Sequence, residues 1–394
     1  MTHDEHGVYL DHAATTPLDP AVLAAMQPYL SSRFGNPSSI YRHGQDARAA
    51  VDTARHQVAA VLGSAPGEVL FTSGATESDN LALRGVAWAA RMARPAEQSP
   101  HIVTTAIEHH AVLHTAESLG LQGFRVTFVP PDRVGIVSPD AIAAAIEPAT
   151  CLISVMLANN ETGAIQPVAA IANVAQEKGV LLHTDAVQGA GLLPLNVDDL
   201  GVDLLALSAH KFYGPKGVGV LFVRNGTAID FQQTGGGQEQ GRRGGTENVA
   251  GIVGLGVALQ RAESFREPYA AHCRVMRDQL ARGIFSALPD AVLNGPPLDG
   301  PRLPNNLNVS IPGVQGETML LALDLLDISA SAGSACTTGN SEPSHVLTAM
   351  GLTADEARTA LRFTVGRDTT PEQIKVAVDA ITEAVSRVRS LAPV

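Results

Sequence analysis

The run Asp203-Leu204-Leu205-Ala206-Leu207-Ser208-Ala209-His210-Lys211 is apolar at successive rather than alternate positions until it reaches two small residues, a histidine and a lysine. Such a run reads as a strand buried on both faces, as in a parallel sheet covered by helices on either side. A lysine delivered from the end of a buried strand is placed for chemistry, because burial of an amine is costly unless the amine is used. Upstream, Val180-Leu181-Leu182-His183-Thr184 has the same character and ends in Asp185, with Gln188 close behind. An amine able to form an imine, with a carboxylate set apart from it, is the pair that a pyridoxal phosphate site requires.

Outward from these two runs the same alternation repeats. Apolar segments predict strands at Val69–Thr72, Ile102–Thr105, Arg125–Val129, Leu152–Leu157, Val180–Thr184, Leu204–Ser208 and Val218–Val223. Alanine-rich helices lie between several of them, over about Ala75–Met92, Pro139–Ile146 and Pro167–Lys178, and a further helix, Gln45–Leu62, ends at Gly63, a left-handed cap. The fold class is therefore α/β, a mainly parallel sheet flanked by helices, with ligands expected beyond the carboxyl ends of the strands. From about Arg261 the pattern changes to a long helix, then Asn306–Ile311 and Leu361–Val365, and a last helix capped by Thr370 with Pro371 at its first position. This second part reads as a smaller α+β domain. The expected division is 17–260 for the large domain and 1–16 with 261–394 for the small one, with Tyr9–Thr16 packing onto the latter. No internal repeat or low-complexity tract interrupts the chain.

With 394 residues and 45% hydrophobic content, the chain can bury a large core. A formal net charge of −12 without a basic block argues against nucleic acid as a partner. The polar start Met1-Thr2-His3-Asp4-Glu5 is unlike a signal peptide, and no apolar run approaches the roughly 20 residues that cross a bilayer. Three cysteines (Cys151, Cys273, Cys336) make no disulfide framework, so a soluble, cytoplasmic setting is expected. No metal site is expected.

Positive charge is mostly arginine, and only four lysines occur: Lys178, Lys211, Lys216 and Lys375. Lys178 meets a helix C-terminus, Lys375 lies on the polar side of the final helix, and Lys216 sits in a turn, Gly214-Pro215-Lys216-Gly217, whose lysine points to water. Lys211 alone lacks a bland role. Ser73-Gly74-Ala75-Thr76-Glu77-Ser78 joins a strand to a helix, where close backbone approach and helix-start amides suit an anion, although a simple cap would need the same residues. A second loop, Gly235–Thr246, supplies glycines, arginines and a hydroxyl that could close over a phosphate of a neighbouring subunit. Ile107-Glu108-His109-His110 follows a strand; a histidine there could stack on a ring and act as acid or base, and pattern does not separate His109 from His110. Asn159-Asn160-Glu161-Thr162-Gly163 offers amides to the same rim. Cys336 lies in Ser331–Ser341, small and polar throughout, which reads as an exposed loop, whereas Cys151 begins an apolar strand and Cys273 lies on a helix.

Taken together, these motifs resemble the cysteine desulfurases, in the class V aminotransferase group of pyridoxal phosphate enzymes of fold type I. The resemblance runs from Tyr9-Leu10-Asp11-His12-Ala13-Ala14-Thr15-Thr16-Pro17 to Leu361-Arg362-Phe363-Thr364-Val365-Gly366-Arg367. It includes Phe34–Ser38, Ser73–Asn80, Glu108-His109, Asn159–Gly163, Asp185–Gln188, Ser208–Lys211, Gly235–Thr246 and Ser331–Thr337. The Cys336 loop is similar to that of the branch serving iron–sulfur cluster assembly, nitrogenase maturation and tRNA thiolation. Ala209 stands where a glycine is usual and Ala332 where a serine is common; neither position supplies a catalytic group.

The resemblance implies pyridoxal 5'-phosphate held through Lys211. Asp185 would pair with the pyridine nitrogen, Gln188 with the phenolic oxygen, and His109 would stack on the ring. Ala75, Thr76, Ser208 and His210 would hold the phosphate, with Thr246 reaching in from the second subunit of a homodimer. Asn160 and Arg362 would take the carboxylate of L-cysteine, a task suited to a planar guanidinium. Lys211 would remove the Cα proton, and the Cys336 thiolate would accept the substrate sulfur as a persulfide, leaving alanine, with His109 or a substrate-coupled base taking the thiol proton. The sulfur would pass to an acceptor protein, and Cys336 could also contribute to a transferred iron–sulfur cluster. Selenocysteine or cysteine sulfinate cleavage, true transamination and a non-catalytic scaffold are the competing readings.

Overall fold

The structure, a computed structural model, describes residues 7–95, 98–332 and 342–391. Twelve strands run in chain order: β1 Val8–Tyr9, β2 Val69–Thr72, β3 His101–Thr105, β4 Arg125–Val129, β5 Thr150–Ser154, β6 Leu181–Asp185, β7 Leu204–Ser208, β8 Gly219–Val223, β9 Val292–Leu293, β10 Asn306–Ser310, β11 Ile328–Ser329 and β12 Ala360–Thr364. Seven form one sheet in the order β2-β8-β7-β6-β5-β3-β4. Neighbours are parallel except around β8, which is antiparallel to both β2 and β7. Every residue of β2, β3, β5, β7 and β8 is buried. That is why these strands read as continuous apolar runs: helices cover both faces, and no side chain has water to face.

All seven strands predicted for this sheet are present. Three differ by one residue at a boundary, and β5 differs most, running Thr150–Ser154 instead of Leu152–Leu157. Beyond Ser154 the backbone leaves the ladder to build the Asn159–Gly163 loop, where Asn159 Oδ1 accepts from the amides of Glu161 and Thr162, each at 2.9 Å. A side chain that satisfies two amides offers the chain an alternative to further pairing. The helix predicted from Gln45 starts at Arg42 and ends at Gly63 in the left-handed region, φ 68°. The long helix expected from Arg261 is two helices, Val249–Ser264 and Arg266–Ala287, which meet at Phe265.

A second, three-stranded sheet has the order β12-β10-β9 with antiparallel pairing, and β1 pairs in parallel with β11. A separate core gathers here, including Leu280, Ile284, Leu307, Val309, Leu361, Phe363 and Ile381. The final helix, Pro371–Leu391, lies against Arg266–Ala287. Val346, Leu347 and Met350, although late in the chain, join the core of the large sheet. Residues 8–16 span both parts: β1 pairs with β11, Asp11 bridges to Thr364, and Thr16 donates its amide to His210 O at 2.9 Å.

The carboxyl ends of the parallel strands share one edge, and antiparallel β8 begins there. At Gly219, the first residue of β8, an added Cβ would lie 2.6 Å from Gly74 Cα, so the strand holds the turn after β2 by direct backbone approach. Gly219→Ala should lower stability by about 1–3 kcal/mol, the usual cost of overpacking, and displace that turn. Thermal unfolding measures the first effect and cofactor affinity the second.

Candidate active site

The ends of β6 and β7 lie side by side, with Asp185 opposite Ala206 in the register. Asp185 closes β6, and Lys211 ends the short turn of helix Ala209–Lys211 that follows β7. Both line a cavity of about 520 Å³. Its wall also holds Ala14, Thr15, Gly74, Ala75, Thr76, Glu77, Asp79, His109, Met156, Asn160, Gln188, Ser208, His210 and Lys216. Ten of the predicted positions thus meet in one place: Ala75, Thr76, His109, Asn160, Asp185, Gln188, Ser208, His210 and Lys211 line the cavity, and Arg362 stands directly behind it.

The Lys211 ammonium donates to the carbonyls of Ala13 at 2.6 Å and Ala14 at 2.8 Å. Gln188 Nε2 donates to the same Ala13 carbonyl at 3.1 Å. The N-terminal segment therefore aims the amine, an arrangement that strand patterns give no means of reading. Asp185 Oδ1 accepts from Val187 N–H at 2.9 Å, and burial pushes its carboxyl up to about 6 against the opposing pull of that bond and of Lys211. The ring of His109 caps the helix His110–Leu121, with Nδ1 accepting from Ala111 N–H at 3.1 Å. That acceptor role assigns the proton to Nε2. Burial, then the charge of Lys211, push His109 down to about 4, so it is neutral at physiological pH. His110 lies outside the wall, stacked on His114 with ring centroids 4.6 Å apart. The two histidines that pattern left open are thus separated by position.

On the opposite wall, Gly74 takes φ 155° and precedes the helix Ala75–Met92, whose first amides lack intrahelical partners and face the cavity edge. Ser208 lies near it, 3.8 Å from where a Gly74 Cβ would stand. His210 pairs through Nδ1 with Thr15 Oγ1 at 3.1 Å. Helix-start amides, two hydroxyls and an imidazole suit a phosphate group, and an amine with a carboxylate at the neighbouring strand end suits a pyridine aldehyde. The residues present fit pyridoxal phosphate. Lys216, expected to face water, is exposed but stands on the cavity rim. Glu77 is also there, ion-paired with Arg243 of the glycine-rich loop at 2.8 Å.

Arg362 is buried on β12 and absent from the cavity wall. It donates to Asn160 O at 2.9 Å and pairs with Asp11 Oδ1 at 2.7 Å, while its Nε has no hydrogen-bond partner. Thr246 is exposed and does not line this cavity. Its loop is fastened by Glu239, which takes a bidentate pair of bonds from Arg55 at 2.9 and 2.7 Å and the Phe71 amide at 3.1 Å. Cys336 lies outside the described residues. Cys151 and Cys273 are buried, and burial pushes their thiols up to about 11 and about 12. Among the described residues no group of three or more metal-ligating side chains could hold a metal ion, and no helix is long and apolar enough to cross a membrane.

A buried acid cluster lies beside Asp185 and was missed in the sequence, because nothing in Ser78-Asp79-Asn80 or Glu108 separates a buried carboxylate from an exposed one. Glu108 accepts through Oε1 from Thr105 at 2.7 Å and Met156 N–H at 3.0 Å, and burial pushes it up to about 8. Asp79 is fully buried, and neither of its oxygens has a hydrogen-bond partner.

The Aminotransferase class-V family model matches residues 8–376. A cysteine desulfurase IscS of Dictyoglomus turgidum is 45% identical over 386 residues, covering 98% of this chain and 96% of that protein. The cysteine desulfurase IscS of Methanosarcina thermophila is 46% identical over 393 residues, covering 100% and 95%. Among solved structures, a NifS-like protein superposes with a TM-score of 0.90 at 38% identity over 97% of this chain and all of that one. SspA in complex with cysteine superposes at 0.80 and 38%, over 91% and 99%. The chain belongs to the class-V aminotransferases, a family of pyridoxal phosphate enzymes of fold type I. Within that family it falls among the cysteine desulfurases.

Glu108 gives a pH signature. Its carboxyl is raised from 4.5 to about 8 in the fold, so its contribution to stability is present below 4.5 and is lost as pH climbs toward 8. Glu108→Gln removes the ionisation and keeps the acceptor. The variant should gain on the parent between pH 5 and pH 8, reaching ~3 °C or more in thermal midpoint at pH 8, as scanning calorimetry at the two pH values would measure.

Proposed function

We propose that this protein is a pyridoxal phosphate-dependent cysteine desulfurase that converts L-cysteine to L-alanine and passes the sulfur through a persulfide on Cys336. The observation that carries this reading is the convergence of Lys211, Asp185 and His109 on one cavity at the ends of adjacent parallel strands. When bound, the cofactor would supply an electron sink for the carbanion formed at Cα of the substrate. Lys211 would hold it and would move the Cα proton, since its amine sits at the cavity wall on two backbone carbonyls that orient it. Asp185 would keep the ring nitrogen protonated and Gln188 would bind the phenolic oxygen. Ala75, Thr76, Ser208 and His210 hold the phosphate.

Asn160 and Arg362 take the substrate carboxylate. Arg362 reaches it with the unpartnered Nε and by sharing the guanidinium with Asp11. The Cys336 thiolate attacks the substrate sulfur; a sulfur–sulfur bond forms as Cβ–S breaks, and the electron pair left on Cβ is protonated to give the alanine methyl. Its neutral ring with the proton on Nε2 makes His109 a hydrogen-bond donor at this stage, so the thiol proton goes to the substrate-coupled base. Cys151 and Cys273 are buried, which disfavours their thiolate forms, and this supports Cys336 as the nucleophile.

The division into residues 17–260 and 1–16 with 261–394 belongs to this proposal; two separate cores and the break at Phe265 support it. So does a homodimer, in which Thr246 serves the partner's phosphate. An exposed apolar set, Leu30, Phe34, Ile40 and Tyr41, together with the placement of Thr246 away from its own cavity, supports it. An acceptor protein of iron–sulfur cluster assembly and a cytoplasmic setting complete the proposal, and the relatives named cysteine desulfurase support its desulfurase part.

Borohydride reduction of the cofactor-loaded protein followed by peptide mapping should place the cofactor on Lys211, and cysteine should yield alanine in step with sulfide under reductant. Cys336→Ala should cut cysteine turnover by about 10³-fold or more while leaving the bound chromophore intact. Unchanged turnover in that variant, or a cofactor attached elsewhere, would overturn the proposal.

A further inference from the structure

Asp79 lies one turn into the helix Ala75–Met92, fully buried, and lines the cavity beside Asp185. An ionised carboxylate in such a place is accommodated only with donors or a cation against it. It has neither: both oxygens lack a hydrogen-bond partner, and its nearest ionisable neighbour, His183 Nε2, stands 3.5 Å from Oδ1 and is itself unpartnered. His183 precedes Asp185 by two residues on β6, and its Nδ1 lies 2.9 Å from Ser154 Oγ. The other ionisable groups acting on this region are Glu108, Asp185, Lys211 and His109. Three acids thus share a buried region with a single lysine, and the lysine is also held by two carbonyls.

We infer that Asp79 is a positioning residue that remains a neutral acid and donates its proton to His183 Nε2, so that Asp185 is the one buried anion beside the ring of the bound cofactor, Glu77 on the same wall being paired with Arg243. Burial and the neighbouring charges of Asp185 and Glu108 act in the same direction, disfavouring a second anion at Asp79. Burial likewise holds His183 neutral, pushing it down to about 3, so its Nε2 can accept while Nδ1–H donates to Ser154. Ser154, His183 and Asp79 then form a chain behind Asp185, and two of the three orphaned atoms, Asp79 Oδ1 and His183 Nε2, are explained together. A second anion would instead hold protons on Lys211 and on the ring nitrogen by its field alone, and would compete with Asp185 for the same cation.

The inference rests on the reading that Asp185 serves a bound pyridoxal phosphate ring. The test compares cofactor-loaded wild type, Asp79→Asn and Asp79→Leu by three readouts: the pH midpoint of the bound-cofactor absorbance, the dissociation constant of pyridoxal phosphate, and far-UV circular dichroism as a folding control. Asparagine is a neutral donor of the same shape, so Asp79→Asn should keep the midpoint within about 0.3 pH unit of wild type. Asp79→Leu leaves His183 Nε2 without its donor and should weaken cofactor binding about 10-fold or more, a loss that Asn restores. A midpoint lowered by about one unit in Asp79→Asn would show a lost negative charge and overturn the inference. So would an Asp79→Leu protein that binds and titrates as wild type does. The isosteric Asn variant decides the matter if the leucine variant does not fold. If wild type forms no chromophore with pyridoxal phosphate, the reading of Asp185 itself fails and the inference with it; if wild type does and the variants disobey, only the inference fails.

Discussion

Charge balance at a largely buried site governs this molecule. Lys211 is delivered at the end of one central strand and Asp185 at the end of its neighbour; Asp185 is buried and Lys211 half-buried, so each has lost water that would stabilise its charge. The fold meets the lysine with the backbone carbonyls of Ala13 and Ala14, and meets Asp185 with the Val187 amide. What remains is an imbalance that a cationic ring nitrogen and an aldehyde would complete. The same low dielectric explains why Glu108 and His109 favour their neutral forms. A site built this way is selective for its ligand before any substrate arrives, since few small molecules neutralise a carboxylate and consume an amine together.

Much of this was legible in the chain because burial leaves a strong imprint on strands. The seven apolar runs between Val69 and Val223 are the seven strands of the large sheet, and their carboxyl ends deliver the residues that the pattern singled out. Lys211 was readable for a reason of scarcity: with four lysines, each could be tried against an ordinary role. Less was legible where tertiary contact decides. The end of β5 could not be placed, because Val155–Leu157 are as apolar as the strand before them and only the Asn159 turn draws them away. Phe265, where one long helical pattern becomes two helices, gives no local signal either.

Buried polar groups were the least legible. Asp79 sits in a helix start whose sequence reads equally well as an exposed cap, and its burial comes from β6 and the loops around the cavity, far away in the chain. Arg362 shows the opposite case: its motif is plain, yet its engagement with Asp11 depends on the N-terminal segment crossing to β12. Glu239 and Gln240 hold left-handed backbone at φ 48° and 61° without being glycine. Such strain persists where surroundings over-determine it, and here the bidentate Arg55 pair does so, giving an otherwise glycine-rich loop one rigid point from which to project Thr246.

The path of the N-terminal segment bears on how the protein is made. Val8 and Tyr9 are synthesised about 320 residues before the strand that receives them, Ile328–Ser329, and Asp11 about 350 before its bridge partner Thr364. Contacts of such sequence separation close late and slowly. The lysine's carbonyl acceptors lie between the two sets of contacts, Thr15 and Thr16 binding His210 on one side and Asp11 bridging to Thr364 on the other, so the late strands complete an anchoring that residues 210–213 begin.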